Sequence, residues 1–254
     1  MIFMLYDAHC HLDLITDEEL QNALTQAKEE NVFQMISCAT SFFSNERTLE
    51  LAKKYPSIKA AIGIYPLDAL ELNELELDKA FYFFEAEIKK AIAIGEVGLD
   101  FKYSKKKEEL EKQVQIFSRF IDLAIKYNKP LIIHSRFAQK QVLELLAEKN
   151  AKKVLLHSFI DSQKLMEQAA KKGYFVSVGL SVLYNIEVQK NISSFPLENL
   201  LFETDSPIRF NGEKAAPSKV SLIADKVSEL KKIPVEEIIK QQEKNFTALF
   251  EKVK

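Results

Sequence analysis

Short apolar runs alternate along the chain with longer amphipathic stretches rich in Lys and Glu, a pattern that reads as strand followed by helix, repeated eight times. The apolar runs predict strands at 2–7, 32–39, 58–64, 91–96, 130–134, 153–157, 174–178 and 200–205. Helices are predicted between them at 17–30, 45–54, a segment ending near residue 90, 105–127, 139–148, 162–172 and around 183–192, with two more after the last strand at 220–231 and 235–252. Local punctuation agrees. Asp161 or Ser162 can cap the helix that stops at Gly173, where a left-handed residue is natural. Pro130 marks the passage from a helix end into the next strand. No low-complexity linker or internal repeat divides the chain. The pattern therefore predicts an α/β protein with a single (β/α)8 TIM barrel over residues 1–254. A doubly wound open sheet is the competitor, but the Gly-rich phosphate loop expected after its first strand is missing.

Composition narrows the function classes. With 254 residues, 47% hydrophobic and 28% charged, the chain reads as an ordinary globular protein with a substantial core. No apolar run approaches the ~18 residues of a membrane span. The apolar start lacks the basic flank and cleavage site of a signal peptide. Two cysteines, Cys10 and Cys38, offer no disulfide framework and fit a reducing compartment, so a cytoplasmic location is expected. Nothing points to an obligate protein partner. Net charge is −2, and only four of the 35 basic residues are arginine. Such a chain does not grip nucleic acid through a broad positive field; a polyanion would be held locally.

Candidate chemistry begins with Asp7-Ala-His-Cys-His-Leu-Asp13. Residues two apart on a strand share a face, so His9 and His11 lie together while Cys10 turns away to pack. The only other histidines, His134 and His157, each close an apolar run, and Glu96 and Asp205 end two more. Any one of them alone would read as a core group. Together, at the C-terminal ends of strands one, four, five, six and eight, they converge on the face where barrel enzymes place their chemistry. Four imidazoles and two carboxylates exceed the needs of one tetrahedral ion and suit two divalent ions. Glu96 is then the natural bridge, and Asp205 both a ligand and the proton acceptor. Glu203, one layer deeper, reads as buried support. The mixed donor set accepts Zn, Mn, Fe, Co or Ni, and Mg less naturally.

These motifs resemble the TatD-type deoxyribonucleases of the metal-dependent amidohydrolase superfamily: Asp7 to Asp13, Gly95-Glu-Val-Gly-Leu-Asp100, Ile133-His-Ser-Arg136, Leu156-His-Ser-Phe159 and Glu203-Thr-Asp-Ser-Pro207. Gln113 with Phe117, Gly179, and Asn245-Phe-Thr-Ala-Leu-Phe250 fall in register. The resemblance spans almost the full length. It implies one ion on His9, His11, Glu96 and Asp205 and a second on Glu96, His134 and His157. It also implies metal-dependent 3′ to 5′ removal of nucleotides from DNA, at single strands or 3′ ends, with Arg136 neutralising a phosphate oxygen.

Two stretches depart from the family pattern. Gly63-Ile-Tyr-Pro-Leu67 replaces Gly-Ile-His-Pro-His, and Lys214-Ala-Ala-Pro217 replaces Arg-Asn-x-Pro. Tyr65 and Arg209, with Arg136, are the candidate substrate contacts. Tyr65 could donate a hydrogen bond or offer a ring for a base to stack on, and as readily pack at the barrel mouth. An ester or amide hydrolase, acting on an aminoacyl-tRNA or a small metabolite, is the alternative reading. A non-catalytic metal-binding barrel is the third, and the intact ligand set with Asp205 argues against it.

Overall fold

The computed structural model describes residues 4–104, 106–160 and 162–251. Eight strands pair in parallel and in sequence order: β1 (Leu5–Cys10), β2 (Val32–Cys38), β3 (Ile58–Ile62), β4 (Ala93–Asp100), β5 (Leu131–Arg136), β6 (Val154–Leu156), β7 (Phe175–Val178) and β8 (Leu200–Phe202). Around them run α1 (Asp17–Glu29), α2 (Phe42–Lys54), α3 (Pro66–Leu70), α4 (Glu74–Glu87), α5 (Lys107–Tyr127), α6 (Gln139–Glu148), α7 (Gln163–Lys171), α8 (Ile186–Ser194), α9 (Val220–Lys231) and α10 (Val235–Phe250). This is the (β/α)8 barrel that the sequence pattern predicts. Residues 2 and 3 of the first predicted strand, Lys105, the alternative cap Asp161 and residue 252 lie outside the described residues.

Helix starts are set by side chains that satisfy the first free N–H groups. Thr16 and Asn73 form capping boxes with Glu19 and Glu76, and Ser41 caps α2 through Ser44. The Ser41 cap starts α2 at Phe42, three residues ahead of the predicted start. Ser162 caps α7, and Gly173 follows it at φ 76. Pro66 opens α3, a single short helix absent from the predicted pattern. The predicted helix around 183–192 is shifted, since a 3-10 turn over Leu180–Leu183 precedes α8.

Strand alternation sorts the apolar side chains into two cores. Tyr6, Ala8, Ile36, Ala61, Ile132, Leu155 and Leu201 fill the barrel interior, which Phe246, Leu249 and Phe250 of α10 plug. The alternate positions, including Met35, Ile62, Ile133, Val176 and Phe202, pack outward against the helices. The plug is tied in place: the Gln242 side chain donates to the Tyr6 carbonyl at 2.6 Å, and Asn245 donates to the carbonyls of Leu197 and Leu200.

The barrel closes at a seam between β8 and β1. Asp205 N–H donates to the His9 carbonyl at 3.0 Å, and His11 N–H to that of Ser206 at 2.6 Å. Below them the buried Asp7 carboxyl accepts from the backbone N–H of Thr204 at 2.9 Å and from its hydroxyl. One correction concerns strand four, predicted to stop at Glu96. It runs on to Asp100, pairing with β5 as far as Arg136. Gly98 permits this. Its φ is 142, and a Cβ there would stand 2.0 Å from the His134 carbonyl oxygen. Gly98→Ala should therefore cost at least about 3 kcal/mol and lower the melting temperature by roughly 6 °C or more. A variant that melts with the unmodified chain would contradict this close approach.

Candidate metal centre

Plain alternation from the interior residues Tyr6 and Ala8 would carry His9 and His11 to the outer face. A register shift in β1 between Asp7 and Cys10 reverses the parity and turns both imidazoles inward. A second shift, in β4 between Ile94 and Val97, does the same for Glu96 after the interior Ala93. On β5, β6 and beyond β8 no reversal is needed. His134 follows Ile132, His157 follows Leu155, and Glu203 and Asp205 follow Leu201 in the interior register.

Four donor atoms converge at the seam. His9 Nε2 and His11 Nε2 are 3.1 Å apart. Glu96 Oε2 lies 3.6 Å from the first and 3.4 Å from the second, and Asp205 Oδ1 lies 3.5 and 3.3 Å from them. Donors about 2.1 Å from the centre of a tetrahedron stand roughly 3.4 Å apart along its edges, so the spacing of His9, His11 and Asp205, with Glu96 beside the two imidazoles, suits a small divalent cation. The tautomers fit as well. His11 Nδ1 lies 2.7 Å from the Cys38 carbonyl, which can only accept, so Nδ1 carries a hydrogen and Nε2 is the nitrogen turned to the cluster. Cys10 is buried outside the cluster and donates to the Ile36 carbonyl.

Glu96 reaches a second set with its other oxygen, since Oε1 lies 2.9 Å from His134 Nδ1. His157 stacks on His9 with ring centroids 3.8 Å apart, and donor atoms of His9, Glu96 and His157 lie within 4.8 Å of one another. Glu203 supports His157: its Oε2 lies 2.9 Å from Nδ1 and also accepts from Ser177, leaving Nε2 for the cluster. Asp100 plays the corresponding part for His134, with Oδ2 3.3 Å from Nε2. Asp100 is a supporting residue with a signal in the sequence, two-residue spacing from Glu96 through Gly98. The Tyr65 hydroxyl donates to the same Oδ2 at 2.7 Å, so its polar end is engaged at His134.

The remaining candidates separate. Arg136 ends β5 with its guanidinium carbon 5.3 Å from the Tyr103 ring centroid, on the mouth side of His134. Arg209 lies in an exposed hairpin, β9 (Arg209–Phe210) and β10 (Glu213–Lys214), and donates to the Gly212 carbonyl. The hairpin turns at Asn211 and Gly212, both with positive φ, an Asn-Gly signal that the sequence displayed. Lys214 pairs with Glu19 at 2.6 Å and pins the hairpin to α1.

Burial would raise the Asp205 carboxyl, but hydrogen bonds with His11 and His9 outweigh it and hold the group well below the usual carboxylate range. Burial likewise opposes ionisation of Glu96, and His134 and His9 draw it down. Burial pulls His11 and His157 downward. Asp205 and Glu96 nonetheless push His11 up to about 9, and Glu203 pushes His157 up to about 10. His9 falls below its ordinary value through burial and the neighbouring His157.

Comparison with known proteins gives a consistent match. A family model described as TatD related DNase matches residues 6–251. The chain is 33% identical to deoxyribonuclease TATDN3 of Homo sapiens, covering 98% of this chain and 96% of that one. It is also 33% identical to YabD of Bacillus subtilis, described as an uncharacterised metal-dependent hydrolase, over 97% and 99% of the two chains. The crystal structure of YjjV, a TatD homologue from Escherichia coli, superposes with a TM-score of 0.90 at 28% identity, covering 98% and 99%.

Protons and cations compete for the same nitrogens. With His11 pushed to about 9 and His157 to about 10, both imidazoles hold protons at pH 7 that a cation must displace. Ion uptake at His11 and His157 at pH 7 should release protons, and affinity should rise with pH from 6 to 8. Calorimetry in buffers of different ionisation enthalpy measures this directly, and uptake without proton release would contradict the assignment.

Proposed function

Since the chain belongs to the TatD-related DNase family of metal-dependent hydrolases, we propose that it is a phosphodiesterase that removes nucleotides from the 3′ end of DNA. The observation that carries the reading is the convergence of Glu96 and Asp205 carboxylate oxygens, 3.3–3.6 Å away, on the paired Nε2 atoms of His9 and His11. These four residues would hold one divalent ion, and Glu96, His134 and His157 a second. Bound there, such ions acidify water and neutralise charge that builds on a phosphoryl oxygen.

The protein's own groups supply the rest. Glu96 divides its two oxygens between the two sets and fixes their separation. Asp205 turns Oδ1 to His9 and His11, so Oδ2 is the atom that takes the proton from the attacking water. As the oxygen of water bonds to phosphorus, the bond from phosphorus to the 3′-oxygen breaks. Asp205 then returns its proton to that oxygen. Arg136, beyond His134 on the same strand, neutralises a non-bridging oxygen. Asp100 and Glu203 hold His134 and His157 in orientation.

A second reading, hydrolysis of a carboxylic ester or amide, draws on two positions where the family pattern carries cationic or imidazole side chains. Lys214 is committed to Glu19, and the Tyr65 hydroxyl to Asp100, which leaves fewer groups to grip a polyanion.

Incubation of the purified chain with 5′-labelled single-stranded DNA and Mg, Mn or Zn should give a metal-dependent ladder of shortened products. Asp205→Ala should slow it at least about 100-fold. Intact DNA beside a filled metal site would overturn the nuclease reading and direct the search to esters and amides. His134→Ala should lower the bound metal from two ions to one per chain, by elemental analysis. Loss of both ions would contradict the division of ligands.

A further inference from the structure

None of the six candidate ligands comes from β3, yet a side chain just beyond its end reaches them. Tyr65 is held by its backbone on both sides. Its N–H donates to the Thr40 carbonyl at 2.7 Å, and its carbonyl accepts from Ala69 N–H at 3.0 Å where α3 begins. Two residues earlier the Asn45 side chain clamps Gly63, accepting from its N–H at 2.9 Å and donating to its carbonyl at 2.8 Å. The phenol is thereby aimed at a three-cornered contact. Its hydroxyl lies 2.7 Å from Asp100 Oδ2 and 3.3 Å from His134 Nε2, and those two atoms are themselves 3.3 Å apart. The Tyr65 ring meets the His134 imidazole in a T-shaped contact with centroids 4.8 Å apart.

Of the three corners, Asp100 is the fixed one. Its Oδ1 accepts from Lys102 N–H at 2.9 Å, and the buried Gln113 side chain bonds both its N–H and its carbonyl. The carboxylate is shut off from solvent, so Oδ2 needs donors from the protein. Tyr65 supplies the short bond. The approach of His134 Nε2 is longer than an ordinary N–H···O bond, and Nδ1, across the imidazole, stays 2.9 Å from Glu96 Oε1. Without the hydroxyl, His134 is the remaining side-chain donor to Oδ2 among the described residues. The imidazole would then close on Asp100, and closing on Asp100 carries Nδ1 away from Glu96.

We infer that Tyr65 is a positioning residue for the second ion: by occupying Asp100 Oδ2 it keeps His134 Nδ1 within reach of the cation shared with Glu96 and His157. The inference rests on the division of ligands proposed above and goes past it. Residue 65 is tyrosine where the family pattern has histidine, so the device belongs to this chain. Outer partners of a ligating imidazole commonly set metal affinity by about tenfold or more. The first ion, on His9, His11, Glu96 and Asp205, should be nearly indifferent to the change.

The test is Tyr65→Phe in the full chain, which keeps the ring and removes the hydroxyl. Calorimetric titration of the metal-free protein with Zn should find two ions on the unmodified chain. In Tyr65→Phe the ion that His134→Ala loses should bind roughly tenfold more weakly, while the other keeps its affinity. Proton–nitrogen correlation spectra at saturating Zn give a second readout, since the chain has only four imidazoles. The His134 Nε2–H signal, assigned by its absence in His134→Ala, should move downfield as its bond to Asp100 shortens, and the His11 Nδ1–H signal should stay in place. Two ions bound with unchanged affinity, or an unmoved His134 signal, would overturn the positioning role and leave the division of ligands standing. Weakening of both ions with a lowered melting temperature of the metal-free chain would assign Tyr65 a packing part and also overturn it. A single ion on the unmodified chain would overturn the division of ligands and the inference together.

Discussion

The Glu96 carboxylate is the interaction on which the site depends. A carboxylate that deep in a barrel is costly unless opposite charge and hydrogen bonds surround it, and removing one partner of such a group leaves the other stranded. Glu96 meets that requirement from both sides, with Oε2 toward His9 and His11 and Oε1 toward His134. Cys38 holds His11 and Asp100 holds His134 in turn, while Glu203 holds the neighbouring His157. The polar centre lies inside an otherwise apolar interior, and the barrel supplies the frame that lets strands distant in sequence contribute to it.

Much of this was legible in the sequence because the barrel repeats one simple pattern. Eight apolar runs gave eight strands, and the scarcity of histidine drew attention to the ends of strands one, five and six. Parity was not legible. A strand shows which residues share a face but not which face is inside, and the register shifts in β1 and β4 that turn His9, His11 and Glu96 inward arise from packing against neighbouring strands. Asp100 was hidden for a related reason. Its role depends on β4 running four residues past Glu96, and that extension depends on Gly98 admitting the His134 carbonyl. Asn211-Gly212 and the Ser41 cap, by contrast, carried plain local signals.

Tyr65 shows how a side chain can change partners without leaving the site. Its hydroxyl bonds Asp100 and lies 3.3 Å from His134 Nε2, so its reach is inward, toward the groups that orient an imidazole. Burial, then Asp100, push the phenol well above its ordinary range, which keeps the proton on the hydroxyl as a donor. The departure from the family pattern at residue 65 therefore bears on the orientation of His134.

The seam between β8 and β1 has a consequence for how the molecule comes into being. His9 and His11 leave the ribosome early, while Asp205 and Thr204, which complete the cluster and bond Asp7, are made when four-fifths of the chain already exists. The nascent polypeptide carries two imidazoles long before it owns the carboxylate that balances them. A cation held by donors from both ends of the barrel would report, in one event, that β1 and β8 have met.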